Sequence, residues 1–180
     1  DELETVMKRI RELAKELNKK NKDVLDEIED LVRKADKRNK EVLKRIEEIL
    51  REARKRKKDD KDRVREVLEE IKREVKKLER ENEEILKRIE DTLRELERDN
   101  ERILEEIRRL VEDAERKDKD GTERVKRLKD ELRRLIEEVR RNLKRLKEEV
   151  DKIRERVRRS LKKLKEDVKR LSDEVKETLK

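Results

Sequence analysis

The chain is 180 residues long, 63% charged, 29% hydrophobic and 0% aromatic, with 61 Lys and Arg against 53 Asp and Glu for a formal net charge of +8. It has no His, Cys, Trp, Tyr or Phe, which removes the soft metal ligands, the usual nucleophile and base pairs, and the aromatic platforms that stack nucleobases. Its longest apolar runs are two residues, too short to span a membrane, and the opening DELETVMKRI resembles neither a signal nor a transit peptide, so a recombinant, cytoplasmic protein is the expected setting.

High charge with few apolar residues is also the composition of a disordered chain, but disorder carries no periodicity, and here the apolar residues recur in steps of three and four. Pro is absent and Gly121 is the single glycine, so strands and their turns have almost nothing to be built from. The chain is expected to be all-α.

The first helix is expected over about residues 2–56. Residues 21–38 (NKDVLDEIEDLVRKADKR) and 39–56 (NKEVLKRIEEILREARKR) are identical at ten positions, an eighteen-residue repeat that equals five helical turns. Its stripe runs Leu3, Val6, Ile10, Leu13, Leu17, Asn21, Val24, Ile28, Leu31, Ala35, Asn39, Val42, Ile46, Ile49 and Ala53, widened by Met7, Leu25, Val32, Leu43 and Leu50.

The stretch RKRKKDDKDR at 54–63 carries no apolar side chain and places a turn at about 57–61, with Asp60 or Asp62 as the helix N-cap. It lacks Gly and Pro, so one continuous helix through it is the alternative. A second helix is expected over about 62–117, repeating the template through Asn82 and Asn100. A second apolar-free stretch, ERKDKDGTER at 115–124, places a turn at about 118–121, where Gly121 suits a left-handed conformation and Asp120 or Thr122 an N-cap. The third helix, about 122–179, has a narrower stripe with Asn142, Ser160 and Thr178 at the same spacing, and should be the least buried.

These elements predict one domain over residues 1–180: a straight, untwisted antiparallel three-helix bundle, up-down-up, a rod of roughly 80 Å. Asn21 with Asn100 and Asn39 with Asn82 share the midpoint 60.5, inside the first polar stretch, while Asn100 with Asn142 and Asn82 with Ser160 share residue 121, inside the second. Two polar layers follow, Asn21, Asn100, Asn142 and Asn39, Asn82, Ser160, with Asn18, Asp36, Glu79 and Glu97 three residues before the stripe asparagines and able to extend them. A shifted or parallel pairing would oppose Asn to Leu, so the layers suit a register and orientation device better than a pocket.

Other candidate sites are weaker. Glu47 with Glu48 and Glu105 with Glu106 suggest cation sites, but their neighbours at helical spacing are mostly Lys or Arg. Ser160 with Lys163 lacks an oxyanion hole. Residues 122–180 carry 23 Lys and Arg against 14 Asp and Glu, a net of +9, while residues 1–121 net −1. That excess raises nucleic-acid or membrane-surface binding, yet acids interspersed through it, and Glu83, Glu90 and Glu97 beside the apolar face of the second helix, favour pairing of complementary helix flanks.

The repeats NKDVLDEIEDLVRKADKR, NKEVLKRIEEILREARKR, NEEILKRIEDTLRELERD, NERILEEIRRLVEDAERK and NLKRLKEEVDKIRERVRR resemble those of de novo designed, parametric untwisted single-chain three-helix bundles with buried hydrogen-bond layers. Spectrin-like repeats share the three-helix plan but have shorter helices, aromatic residues and looser periodicity. The resemblance implies a structural role: not an enzyme, no catalytic residue, no metal or cofactor, and a monomer that requires no partner. A module that recruits a partner helix, a homo-oligomer through an opened first turn, and nucleic-acid binding through the third helix are the alternatives.

Overall fold

The computed structural model describes residues 2–55, 60–118 and 123–178. Three helices account for nearly all of them: α1 (Glu2–Arg54), α2 (Lys61–Lys117) and α3 (Glu123–Thr178). Leu, Glu, Lys and Arg dominate each, with no Pro or Gly in their interiors, so no position carries the backbone penalties that break helices. The ends suit the helix dipole: Asp62 and Glu123 lie in first turns, and Arg51, Arg54, Arg116, Lys117 and Lys176 in last turns.

Asp60 directly precedes α2, in the N-cap position, while Asp62 lies inside the first turn beside Arg65 at 4.0 Å. At the end of α1 the Lys55 N–H donates to the Glu52 carbonyl at 3.2 Å, a tight closing turn, so α1 stops before α2 and the continuous-helix alternative does not hold. The Asp118 N–H donates to the Ala114 carbonyl at 3.1 Å, one further helical bond beyond α2. Asp120, Gly121, Thr122, Leu179 and most of the first expected turn lie outside the described residues, as does the side chain of Thr178.

The chain is a three-helix bundle made of two compact units, each containing part of every helix: Asp1–Ile28 with Ile89–Asp151, and Glu29–Arg88 with Lys152–Lys180. In the first unit Ile10, Leu13 and Leu17 of α1 meet Ile103, Leu104, Ile107 and Val111 of α2 and Leu128 and Val139 of α3. In the second, Val42, Ile46 and Leu50 meet Val64, Leu68, Ile71 and Leu78 and then Leu164, Val168 and Val175. Burying each such side chain is worth about 1.5–3 kcal/mol before the cost of ordering the chain.

Two details differ from the apolar pattern. Along α1 the buried line passes through Val32 and Leu50, which look like flanking residues in sequence, while Leu31 is only half-buried and Ile49 is exposed. The rest of the stripe around them, Ile28, Ala35, Asn39, Val42, Ile46 and Ala53, is buried, so the exchange is local to these two turns. The narrower stripe of α3 costs it no apolar burial relative to α1, although with Asn39 counted α1 has one more buried residue and α3 the fewest of the three among the described residues. Among the described residues each buries ten apolar side chains, against twelve in α2. The extra apolar residues of α1, such as Met7, Leu25 and Leu43, end half-buried at its edges, as do Leu132, Leu135, Ile136, Leu143, Leu161 and Leu171 of α3.

Candidate functional site

The stripe asparagines form two closed amide pairs. In the first unit the Asn21 Nδ2 donates to Asn100 Oδ1 at 3.1 Å, and the Asn100 Nδ2 returns a bond to Asn21 Oδ1 at 2.9 Å. In the second unit the Asn39 Nδ2 donates to Asn82 Oδ1 at 3.0 Å and the Asn82 Nδ2 to Asn39 Oδ1 at 2.9 Å. Reciprocity of this kind matches each donor to an acceptor with no third group needed.

The α2 member of each pair makes a further bond within its own helix. The Asn100 Nδ2 also donates to the Leu96 carbonyl at 2.6 Å, and the Asn82 Nδ2 to the Leu78 carbonyl at 2.8 Å, four residues back. A carbonyl only accepts, so this contact settles which end of the amide is nitrogen, and the partner amide must then face the other way. Asn39, Asn82 and Asn100 are buried, at 2%, 1% and 1% exposure, and Asn21 is half-buried. At that burial an unpaired amide costs about 1–3 kcal/mol, so the pairing is what makes asparagine tolerable there.

The polar residues of α3 stand apart from these pairs. Asn142 and Ser160 are half-buried, and among the described residues neither makes a side-chain hydrogen bond. Of the four residues offered as extensions of the layers, Asn18 is exposed, Asp36 is half-buried, and Glu79 and Glu97 turn to α3 instead.

Those two glutamates belong to a series that the layer argument overlooked. Glu97 meets Lys147 at 3.0 Å, Glu115 meets Lys129, and Glu79 meets Lys165. On α2 the acids are eighteen residues apart, and on α3 the lysines are eighteen apart in the opposite direction. The midpoint comparison used for asparagine would have found them had it been applied to opposite charges. Their side chains are about one-third to one-half exposed, so each pair contributes less than about 1 kcal/mol.

Elsewhere the surface offers little chemistry. Glu47 lies near Arg51 at 4.0 Å, Glu105 near Arg108 at 3.7 Å and Glu106 near Arg9 at 3.5 Å, ion pairs rather than free carboxylates, while Glu83, Glu48 and Lys163 are exposed. Among the described residues no group of three or more acids is gathered to hold a metal ion, and no helix is long and apolar enough to cross a membrane. The depressions are shallow. One of 230 Å³ in the first unit lies over Ile10, Ala14, Leu128, Leu132 and Leu135, rimmed by Arg11, Glu131, Arg134 and Glu138. Another, of 110 Å³ in the second unit, lies over Val42 and Leu78 between Arg38, Arg45, Glu74, Lys77 and Glu81.

No protein-family model matches the chain, and no curated protein matches it. Among solved structures it is similar to one described as a computationally designed three helix bundle, with a TM-score of 0.64 and 19% sequence identity over 99% of this chain and 90% of the other. At that identity the similarity is one of fold.

Proposed function

We propose that this chain is a designed structural protein, a scaffold without a biochemical activity of its own, in which paired asparagines specify how α1 and α2 align. The observation that carries the reading is the two reciprocal amide pairs, Asn21 with Asn100 and Asn39 with Asn82, eighteen residues apart on each helix. A repeat of five full turns asks for no supercoil, so the helices are read as untwisted, with the pairs returning at matching heights. The fold similarity to a designed three-helix bundle supports the same reading.

Replacing all four paired asparagines by Leu tests it. Helical content should be kept and stability kept or raised, while the single set of sharp amide resonances expected of the parent chain should split or broaden as alternative alignments become accessible. One sharp, unchanged set of resonances in the all-Leu variant would remove the alignment role. The chain is also read as a monomer that needs neither metal nor cofactor, and a sedimentation coefficient independent of concentration is the expected result.

A second reading, a module that recruits a partner helix, is favoured by the bonding of α3. It joins the other two helices through apolar contacts and half-exposed ion pairs, without an amide pair of its own. Concentration-dependent sedimentation would favour it. Nucleic-acid binding is less well supported, because Lys129, Lys147 and Lys165 are already engaged by glutamates of α2. It would require salt-dependent retention of DNA or RNA.

A further inference from the structure

Three helices that each turn an apolar stripe to a common centre can be arranged in two hands, with α3 on one face or the other of the α1–α2 pair. Both bury the same stripes. They differ in which edge of each helix meets which neighbour: in the opposite hand, every edge changes its neighbour. The charges along the edges therefore decide whether the two hands are equivalent.

On α1 the ion pairs to both neighbours are made by arginines. Toward α2, Arg9 meets Glu106 at 3.5 Å in the first unit and Arg38 meets Glu81 at 3.4 Å in the second. Toward α3, Arg11 shares a groove with Glu131 and Glu138 in the first unit, and Arg54 meets Glu174 at 3.6 Å in the second. On α2 both edges are acidic, Glu81 and Glu106 toward α1 and Glu79, Glu97 and Glu115 toward α3. The edge of α1 toward α3 is mixed, since Glu29 and Glu47 repeat the position of Arg11 and Asp36 that of Arg54, so α1 and α2 do not oppose a single pair of signs along their lengths.

The contrast is clearest on α3. Lys129, Lys147 and Lys165 pair with α2, whereas Glu174 pairs with α1 and Glu131 and Glu138 share a groove with it, beside a single basic rim residue of α3, Arg134. In the opposite hand its acids would meet the acidic edge of α2, and its lysines the arginines of α1. We infer that α3 selects the hand of the bundle through the charge difference between its two edges. The site α3 occupies accordingly fits an amphipathic helix that is basic on one edge and acidic on the other, and rejects one with the edges exchanged.

Cysteine pairs read the hand directly. Glu97→Cys with Lys147→Cys reports the present hand, since these residues touch. Glu106→Cys with Glu138→Cys reports the opposite one: residue 106 lies nine beyond 97 on α2 and 138 lies nine before 147 on α3, so both stand at one height, but on edges that now face α1. In the parent chain the first pair should cross-link intramolecularly, by about tenfold or more over the second, given several weak charge pairs acting together. With Lys129→Glu, Lys165→Glu, Glu131→Lys and Glu174→Lys introduced, the preference should reverse. A folded, helical variant that keeps the parent preference would overturn the inference. If that variant loses its helicity, the same four positions changed to Gln decide the matter: the preference should then fall to about threefold or less, and a preference that stays at about tenfold would overturn the inference.

Discussion

Asn39 and Asn82 exchange two hydrogen bonds, 3.0 and 2.9 Å long, while almost wholly shielded from solvent. Removing one partner must cost more than removing both. Asn39→Leu leaves the Asn82 Oδ1 buried without a donor and should lower unfolding free energy by about 1–3 kcal/mol, whereas Asn39→Leu with Asn82→Leu should be neutral or stabilising. Denaturant titrations of the two single variants and the double give the coupling. Additive effects would contradict a closed pair.

The Asn21 and Asn100 pair should be more forgiving. Asn21 is half-buried, so water can reach the amide orphaned by Asn21→Leu, and the loss should be about half of that for Asn39→Leu. An equal or larger loss in the same titration would place the two pairs in equivalent environments.

Asn142 and Ser160 offer the opposite test. With no side-chain hydrogen bond to surrender among the described residues, Asn142→Leu and Ser160→Leu should leave thermal stability unchanged or raise it by roughly 0.5–1 kcal/mol through added apolar burial. A loss above about 1 kcal/mol would show that α3 depends on these polar groups.

Burial should grade the aliphatic side chains. Ile28 and Ile107 are fully buried, and Ile49 is 36% exposed. Ile28→Ala and Ile107→Ala should each cost about 2–5 kcal/mol, and Ile49→Ala below about 1 kcal/mol. Calorimetric melts of the three variants would check the order.

The helices were legible because charge and apolarity alternate with the period of a helix from Leu3 to Val175, and two apolar-free stretches mark where that period stops. Spacing encodes height and angle within one helix, but not how that helix is turned against its neighbours. Asn142 stands at a height matching Asn100, yet its angle on α3 leaves it outside the pair that Asn21 completes. Val32 and Leu50 widen the stripe in sequence, and which of Leu31 or Val32 and of Ile49 or Leu50 turns inward depends on where two other helices lie. The Glu79, Glu97 and Glu115 series was readable in principle, but charges crowd every exposed turn of this chain. Only opposite charges at a shared midpoint separate a cross-helix pair from its many neighbours.

The bond from each α2 asparagine to the carbonyl four residues behind it has a consequence for assembly. That contact needs only one turn of α2, so Asn82 and Asn100 can be aimed before α1 arrives, their rotamers already restricted by Leu78 and Leu96. Asn39 and Asn21 make no such contact among the described residues and must find their orientation on docking. The two helices are therefore unequal participants: α2 is the template, with its amides held in place, and α1 is the helix that reads it.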